Sequence, residues 1–194
     1  MKADAIRRVT ESLRDRLQTT LSGASVPGTV FVGPLDDADS SGAPLILFLY
    51  RIAPNPSLRN RERRIPSVNV PQVDVFRNSL PLDLYYLVTV GTTPGSSGEE
   101  ALLSALGLAI QALQGNPDLT GPGIDHETVR VTLEPLTTDE ASRIWALFPT
   151  ANYRTSVAYL ASPVWIDPEQ PEPTAAPVVD DRLRAGSKPR EVST

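Results

Sequence analysis

"LDLYYLVTVGTTPGSSGEEALLSALGLAIQALQGNP", residues 82–117, sets a strand directly before a helix. Leu82, Leu84, Tyr86, Val88 and Val90 alternate and share one face of the strand. Ser96 or Ser97 can cap the helix that follows, and Glu99 or Glu100, three residues on, completes a capping box. Leu102, Leu103, Leu106, Ile110 and Leu113 recur at helical spacing and form the expected buried stripe. Gly115 is expected to end the helix in a left-handed conformation, and Pro117 prevents its continuation.

The same grammar extends in both directions. Downstream, "ETVRVTLE" (127–134) alternates, with Val129, Val131 and Leu133 inward and Thr128, Arg130 and Thr132 outward. It runs into "PLTTDEASRIWALF" (135–148). There Thr137 and Glu140 have capping-box spacing, and Ala141, Ile144, Trp145 and Phe148 line one helical face. "ANYRTSVAYLASPVWID" (151–167) reads as a last strand, bent or ended near Pro163. Upstream, Ile6, Val9, Leu13, Leu17 and Leu21 make one stripe of an amphipathic helix over residues 4–21, which "GASVPG" interrupts. "TVFVG" (29–33) is a short strand. "LILFLYRI" (45–52) is apolar throughout, as in a strand covered on both faces. "APNPSLRNRERRIPSVNVPQ" (53–72) is expected to be a long irregular loop, a feature that tends to carry function.

The resulting order is α-β-β-loop-β-α-β-α-β. Strands joined directly and strands joined through helices both occur. This predicts an α+β fold, a mixed β-sheet flanked by helices. Residues 1–167 form the folded domain in this reading. Residues 168–194 are a Pro-rich tail, extended or disordered, because their composition buries too little apolar surface to offset the entropy of ordering.

Composition narrows the function. The 194 residues suffice for one domain whose core needs no metal or disulfide. With no cysteine, thiolate chemistry is excluded. "MKADAIRRVTESLRDRL" is charged throughout and lacks the apolar stretch of a signal peptide, so synthesis in the cytoplasm is expected. No apolar run reaches membrane-span length. The net charge of −5 argues against general nucleic-acid binding. Proline, at 19 residues, is about twice its average share and gathers in 54–71 and 163–177.

Catalytic motifs are missing. His126 is the sole histidine and follows the loop "GPGID". "GSSG" (95–98) lacks nucleophile-elbow spacing, and neither a phosphate-binding nor a dinucleotide-binding glycine loop occurs. Asp36, Asp37 and Asp39 lack the remainder of a calcium-loop pattern. Glu99–Glu100 and Asp139–Glu140 sit in first helical turns, where they answer the helix dipole. No enzyme activity, cofactor or metal is expected.

The Arg-rich segment "RNRERR" (59–64) is the clearest surface signal. Residues 51–77 hold six Arg against Glu62 and Asp74. A solvated loop, a nucleic-acid contact and a protein partner with an acidic face are three readings. Interleaved aromatics are absent, which weakens the second. Arg forks pair well with carboxylates, and the prolines stiffen the loop, which favours the third over the second. Arg59, Arg61, Arg63 and Arg64 are therefore candidate interface residues. In the tail, five acids between Asp167 and Asp181 precede four bases between Arg182 and Arg190, which adds Arg182 and Arg184.

"LYRIAPNPSLRN" (49–60), "LPLDLYYLVT" (80–89), "ALLSALGLAIQALQGNPDLTG" (101–121), "VRVTLEPLTTDEASRIWALF" (129–148) and "YRTSVAYLASPVWID" (153–167) occur in this order. Together they resemble the cap, or tail-terminator, proteins of extracellular contractile injection systems. These are phage-tail-like particles of the Photorhabdus virulence cassette and antifeeding prophage type. The resemblance covers residues 1–167 and implies a phage tail-terminator-like fold with no catalytic role. It further implies a homohexameric ring that ends the inner tube and ties it to the sheath protein at the distal end. A terminator of a true phage tail, or an adaptor binding an acidic partner through the Arg-rich loop, is the alternative. The loop after "PSLRN" and the chain after Asp167 vary in this family, so they inherit no role from it. Sheath subunits of such particles exchange extended arms, and an edge strand of the last sheet or the tail itself is a candidate for such pairing; "LASPVWI" (160–166) is the preferred edge, with Trp165 as its anchor. No nucleic acid or membrane insertion is implied. The setting is a particle made in the cytoplasm and then released or anchored.

Overall fold

A computed structural model describes residues 3–59, 61–66, 73–92, 98–125 and 127–169. In chain order the elements are α1 (Ala5–Gly23), β1 (Phe31–Val32), β2 (Leu45–Pro54), β3 (Arg63–Pro66) and β4 (Val73–Phe76). They continue with β5 (Leu80–Val90), α2 (Gly98–Gly115), β6 (Asp118–Leu119), β7 (Val129–Glu134), α3 (Thr138–Trp145) and β8 (Ser156–Ile166). Six strands form one sheet in the order β1-β2-β5-β8-β7-β6. Only β1 and β2 run parallel, so the sheet is mixed, as the expected α+β class requires.

The sheet is covered unequally. On one face, α1 and α2 bury Leu45, Leu47, Leu84, Tyr86, Val88, Val129, Val131 and Tyr159 beneath Val9, Leu13, Leu17, Leu106 and Leu113. On the other, α3 and the turn after it set Ile144, Trp145 and Phe148 against Ile46, Leu87 and Ala158. Helix α3 has eight residues, so it covers only part of its face. Both faces of β2 are apolar at Leu45–Leu47 because both are buried there. At the sheet's end the chains approach so closely that a Cβ on Gly91 would lie 1.7 Å from the carbonyl oxygen of Ala43.

The helices follow their sequence signals. Thr137 Oγ1 accepts from the Glu140 N–H at 3.3 Å, and the Glu140 carboxylate accepts from the Thr137 N–H at 2.9 Å, the expected capping box. The expected cap of α2 at Ser96 or Ser97 lies outside the described residues. The stripe of α1 is buried at Val9, Leu13, Leu17 and Leu21, with Ile6 half-buried.

Four expectations change. Leu103 is 46% exposed, because Leu102, Ala105, Leu106, Ala109 and Leu113 form the inward stripe and Leu103 lies one residue off it. Leu133 is 50% exposed, whereas Val129 and Val131 are buried, so the core ends between Val131 and Leu133. Gly115 is not in the left-handed region; the Asn116 N–H still bonds to the Ala112 carbonyl, and Pro117 makes the stop. Finally, the stretch expected to be irregular contains structure. Strand β3 pairs antiparallel with β4, from Arg63 opposite Phe76 to Pro66 opposite Val73.

Candidate protein interface

Arg63, one of the candidate interface arginines, is turned inward. Its side chain is 8% exposed and reaches Glu127 and Asp167, the latter with Nε 3.3 Å from Oδ1. Its guanidinium carbon lies 5.1 Å from the centre of the Trp165 ring, a cation–π stack. Burial lowers the Arg63 pKa from its ordinary value, and the charges of Asp167 and Asp125 oppose that shift. Ser79 Oγ donates to the same Asp167 oxygen at 2.6 Å. This node ties the hairpin of β3 and β4 to the end of β8. Trp165 and Arg63 thus meet within one chain, which sequence spacing gave no means to see.

The other arginines differ. Arg59, Arg61 and Arg64 are exposed. Arg64 lies 3.3 Å and Arg77 3.8 Å from the Glu62 carboxylate, pairs in open solvent that contribute little. Arg182 and Arg184 lie outside the described residues.

Residues 160–162 do not form an edge. Leu160 and Ala161 are paired with β5 on one side and β7 on the other, and Ser162 is paired with Arg130 of β7. Among the described residues, Val164, Trp165 and Ile166 pair only with β5, at Leu82, Pro81 and Leu80, so the later part of the candidate segment has one open side. Two further open edges follow from the strand order. Strand β1 accompanies β2 only at Ile46 and Leu47, and β6 accompanies β7 only at Val129 and Arg130. Among the described residues, no strand pairs with β2 after Leu47 on the side away from β5, or with β7 after Val131 on the side away from β8.

Chemistry is sparse among the described residues. No group of His, Cys, Asp and Glu is placed to hold a metal ion. Asp37 Oδ1 accepts from the Asp39 N–H at 2.9 Å, a local turn contact. His126 lies outside the described residues. Asp83 is buried and accepts from Asn55 Nδ2 at 2.9 Å and Ser162 Oγ at 2.6 Å, which satisfies it where β8 bulges opposite it. Two open grooves flank Tyr153. One, of about 370 Å³, is lined by Glu99, Leu103, Arg154 and Thr155; the other, of about 310 Å³, by Leu133, Glu134, Leu136 and Thr138. The second is also lined by Thr137, whose hydroxyl donates to the Glu140 carboxylate at 2.8 Å within the cap of α3.

The profile of the Pvc16 N-terminal domain family matches residues 8–180. The chain belongs to the Pvc16 N-terminal domain family. No curated protein matches it. Two solved structures share the fold. A sheath/tube terminator of an extracellular contractile injection system (PVC), in the extended state, is 18% identical with a TM-score of 0.62. That match covers 97% of this chain and 64% of the terminator. The tube-terminating cap of the anti-feeding prophage is 17% identical with a TM-score of 0.60, covering 90% of this chain and 60% of the cap. This Pvc16 domain therefore spans about three fifths of the solved chains it resembles. No described helix is long and apolar enough to cross a membrane.

Sequence reasoning found the family and the sheet class. It missed the β3–β4 hairpin, whose only signal was alternation at Val73 and Val75. It also missed both free edges, which depend on strand order.

Proposed function

We propose that this protein is a structural cap of a contractile injection system, assembling as a ring that ends the inner tube and anchors the sheath at the distal end. The observation that carries this reading is the Pvc16 family match across residues 8–180, which contains the whole sheet and α2 and α3. Sharing a fold with two terminators adds support.

The physical requirement agrees. A terminator binds the last layer of a polymer and offers no surface for the next. Cyclic closure of a heterologous contact meets that need. Free energy then goes into holding neighbours. The partners in this reading are further copies of the chain, the tube protein and the sheath protein. The homohexamer, the absence of catalysis and the cytoplasmic site of assembly belong to the same proposal.

The test is deletion of the gene in the producing cell, with particles measured by electron microscopy. Tubes of irregular length, or sheaths detached at the distal end, are expected. Particles of normal length with attached sheaths would overturn the proposal.

A further inference from the structure

Among the described residues, the open outer edges of β2 and β7 are complementary. In β7 the Val131 N–H turns outward to the Pro117 carbonyl at 2.7 Å. Backbone groups alternate in direction along an antiparallel strand, so Leu133 also turns its N–H and C=O away from β8. In β2 the Leu47 carbonyl turns outward and accepts from the Gly33 N–H. A bulge between Leu49 and Arg51 resets the alternation. Ile52 then stands opposite Leu84. The even-numbered residues of β5 bond toward β8, as the Val90 N–H does to Thr155. Ile52 therefore also turns its backbone groups outward.

The side chains match as well. Ile52 lies opposite Leu84 and Leu133 opposite Tyr159, and both of those partners belong to the core beneath α1 and α2. Ile52 and Leu133 thus project from the same face of the sheet, at opposite edges. They are 47% and 50% exposed, large apolar residues on bare edges that carry no lysine. Isolated proteins guard such edges with charges or prolines. Pro54 ends β2, and Glu134 ends β7. Arg51, beside Ile52, is exposed and stacked 4.8 Å over the Tyr85 ring. It gives the β2 edge a positive charge to set against Glu134.

Strand direction completes the match. Strand β2 is antiparallel to β5, β5 to β8 and β8 to β7. So β2 and β7 run in opposite senses. Placing β2 of one copy beside β7 of the next makes an antiparallel pair like the others and keeps the same face inward.

We propose that neighbouring copies of this chain join edge to edge, β2 against β7, with Ile52 of one copy packed beside Leu133 of the next. The occupant of each edge is a second copy, and the contact is head-to-tail, as a closed ring needs. The inference rests on the ring proposed above and names the surface that closes it.

The chain has no cysteine, so cross-linking tests this cleanly. Full-length I52C and L133C variants are made singly, mixed in equal amounts and oxidised. Products are read by non-reducing electrophoresis and mass spectrometry, and the oligomeric state by native mass spectrometry. The expected result is a cross-linked pair holding one chain of each kind, and a ladder from the I52C/L133C double variant. Pairs of two I52C or two L133C chains at equal yield would overturn it, because the contact would then be two-fold. An oligomer that shows no 52–133 link would overturn the edge assignment and leave the ring standing. Linkage of position 133 to a different protein of the particle would replace the second copy as occupant and overturn the proposal. A chain that stays monomeric alone and in the particle would overturn the ring and this contact together.

Discussion

The hydroxyl oxygens of Thr10 and Tyr86 lie 2.8 Å apart, joining the second turn of α1 to the middle of β5. Tyr86 is fully buried, and that burial pushes its pKa well above the ordinary tyrosine value, with the Thr10 bond acting in the other direction. A phenol whose folded pKa is raised stays protonated in the folded state while the unfolded chain ionises. Stability should therefore be full below about pH 10 and fall as pH rises through that value. Tyr86→Phe should cost about 1 kcal/mol at neutral pH and flatten the alkaline loss. Denaturant melts across the alkaline range would check both.

Tyr50 offers a second alkaline probe. Its pKa is raised to about 12, first by burial and then by the charge of Glu134. In the folded protein its absorbance change should come above that of a free tyrosine, near the value given. Glu134→Gln should bring it down. A spectrophotometric titration that found Tyr50 ionising at the ordinary value would contradict the packing described.

Arg63 should matter to the fold, and its neighbours should not. Removing one partner of a buried ion pair leaves the other charge uncompensated, so Arg63→Ala or Asp167→Ala should each cost about 3 kcal/mol. Arg59→Ala, Arg61→Ala and Arg64→Ala should each stay within about 0.5 kcal/mol. Chemical denaturation of the five variants separates the two groups. If the exposed three also bind an acidic partner, their charge reversals should weaken binding with unchanged stability.

Thr137→Ala removes the capping box of α3 and should cost about 1 kcal/mol. The same box holds the Glu140 pKa below its ordinary value, mainly through the Thr137 N–H and hydroxyl. That contribution is present above the unfolded glutamate pKa and is lost as pH falls through the lower folded one. The wild-type protein should therefore lose more stability on acidification than Thr137→Ala does, a difference that paired acid titrations followed by circular dichroism would read.

Local elements were legible because each carried its own signal. The alternation of Leu82 to Val90, the stripe of α1 and the Thr137–Glu140 spacing are short-range patterns, and the structure follows them. What failed depended on distant chain. Leu103 and Leu133 look inward by periodicity, yet the core stops short of both. Arg63 reads as surface charge until Asp167, more than a hundred residues on, is placed beside it. Strand order likewise comes from the long-range pairing of β2, β5, β8 and β7, so the two bare edges have no sequence signature of their own.

Asp167 stands at the end of β8, gripped by Arg63 and Ser79. Any pull delivered through the residues that follow it arrives first at this clamp. A pull along the axis of the eleven-residue β8 loads its pairings with β5 and β7 in shear. Strands resist sliding, in which many bonds strain at once, better than peeling, in which the bonds break in turn. If the chain caps a contractile particle as proposed, β8 is placed to take tension without unravelling from its end.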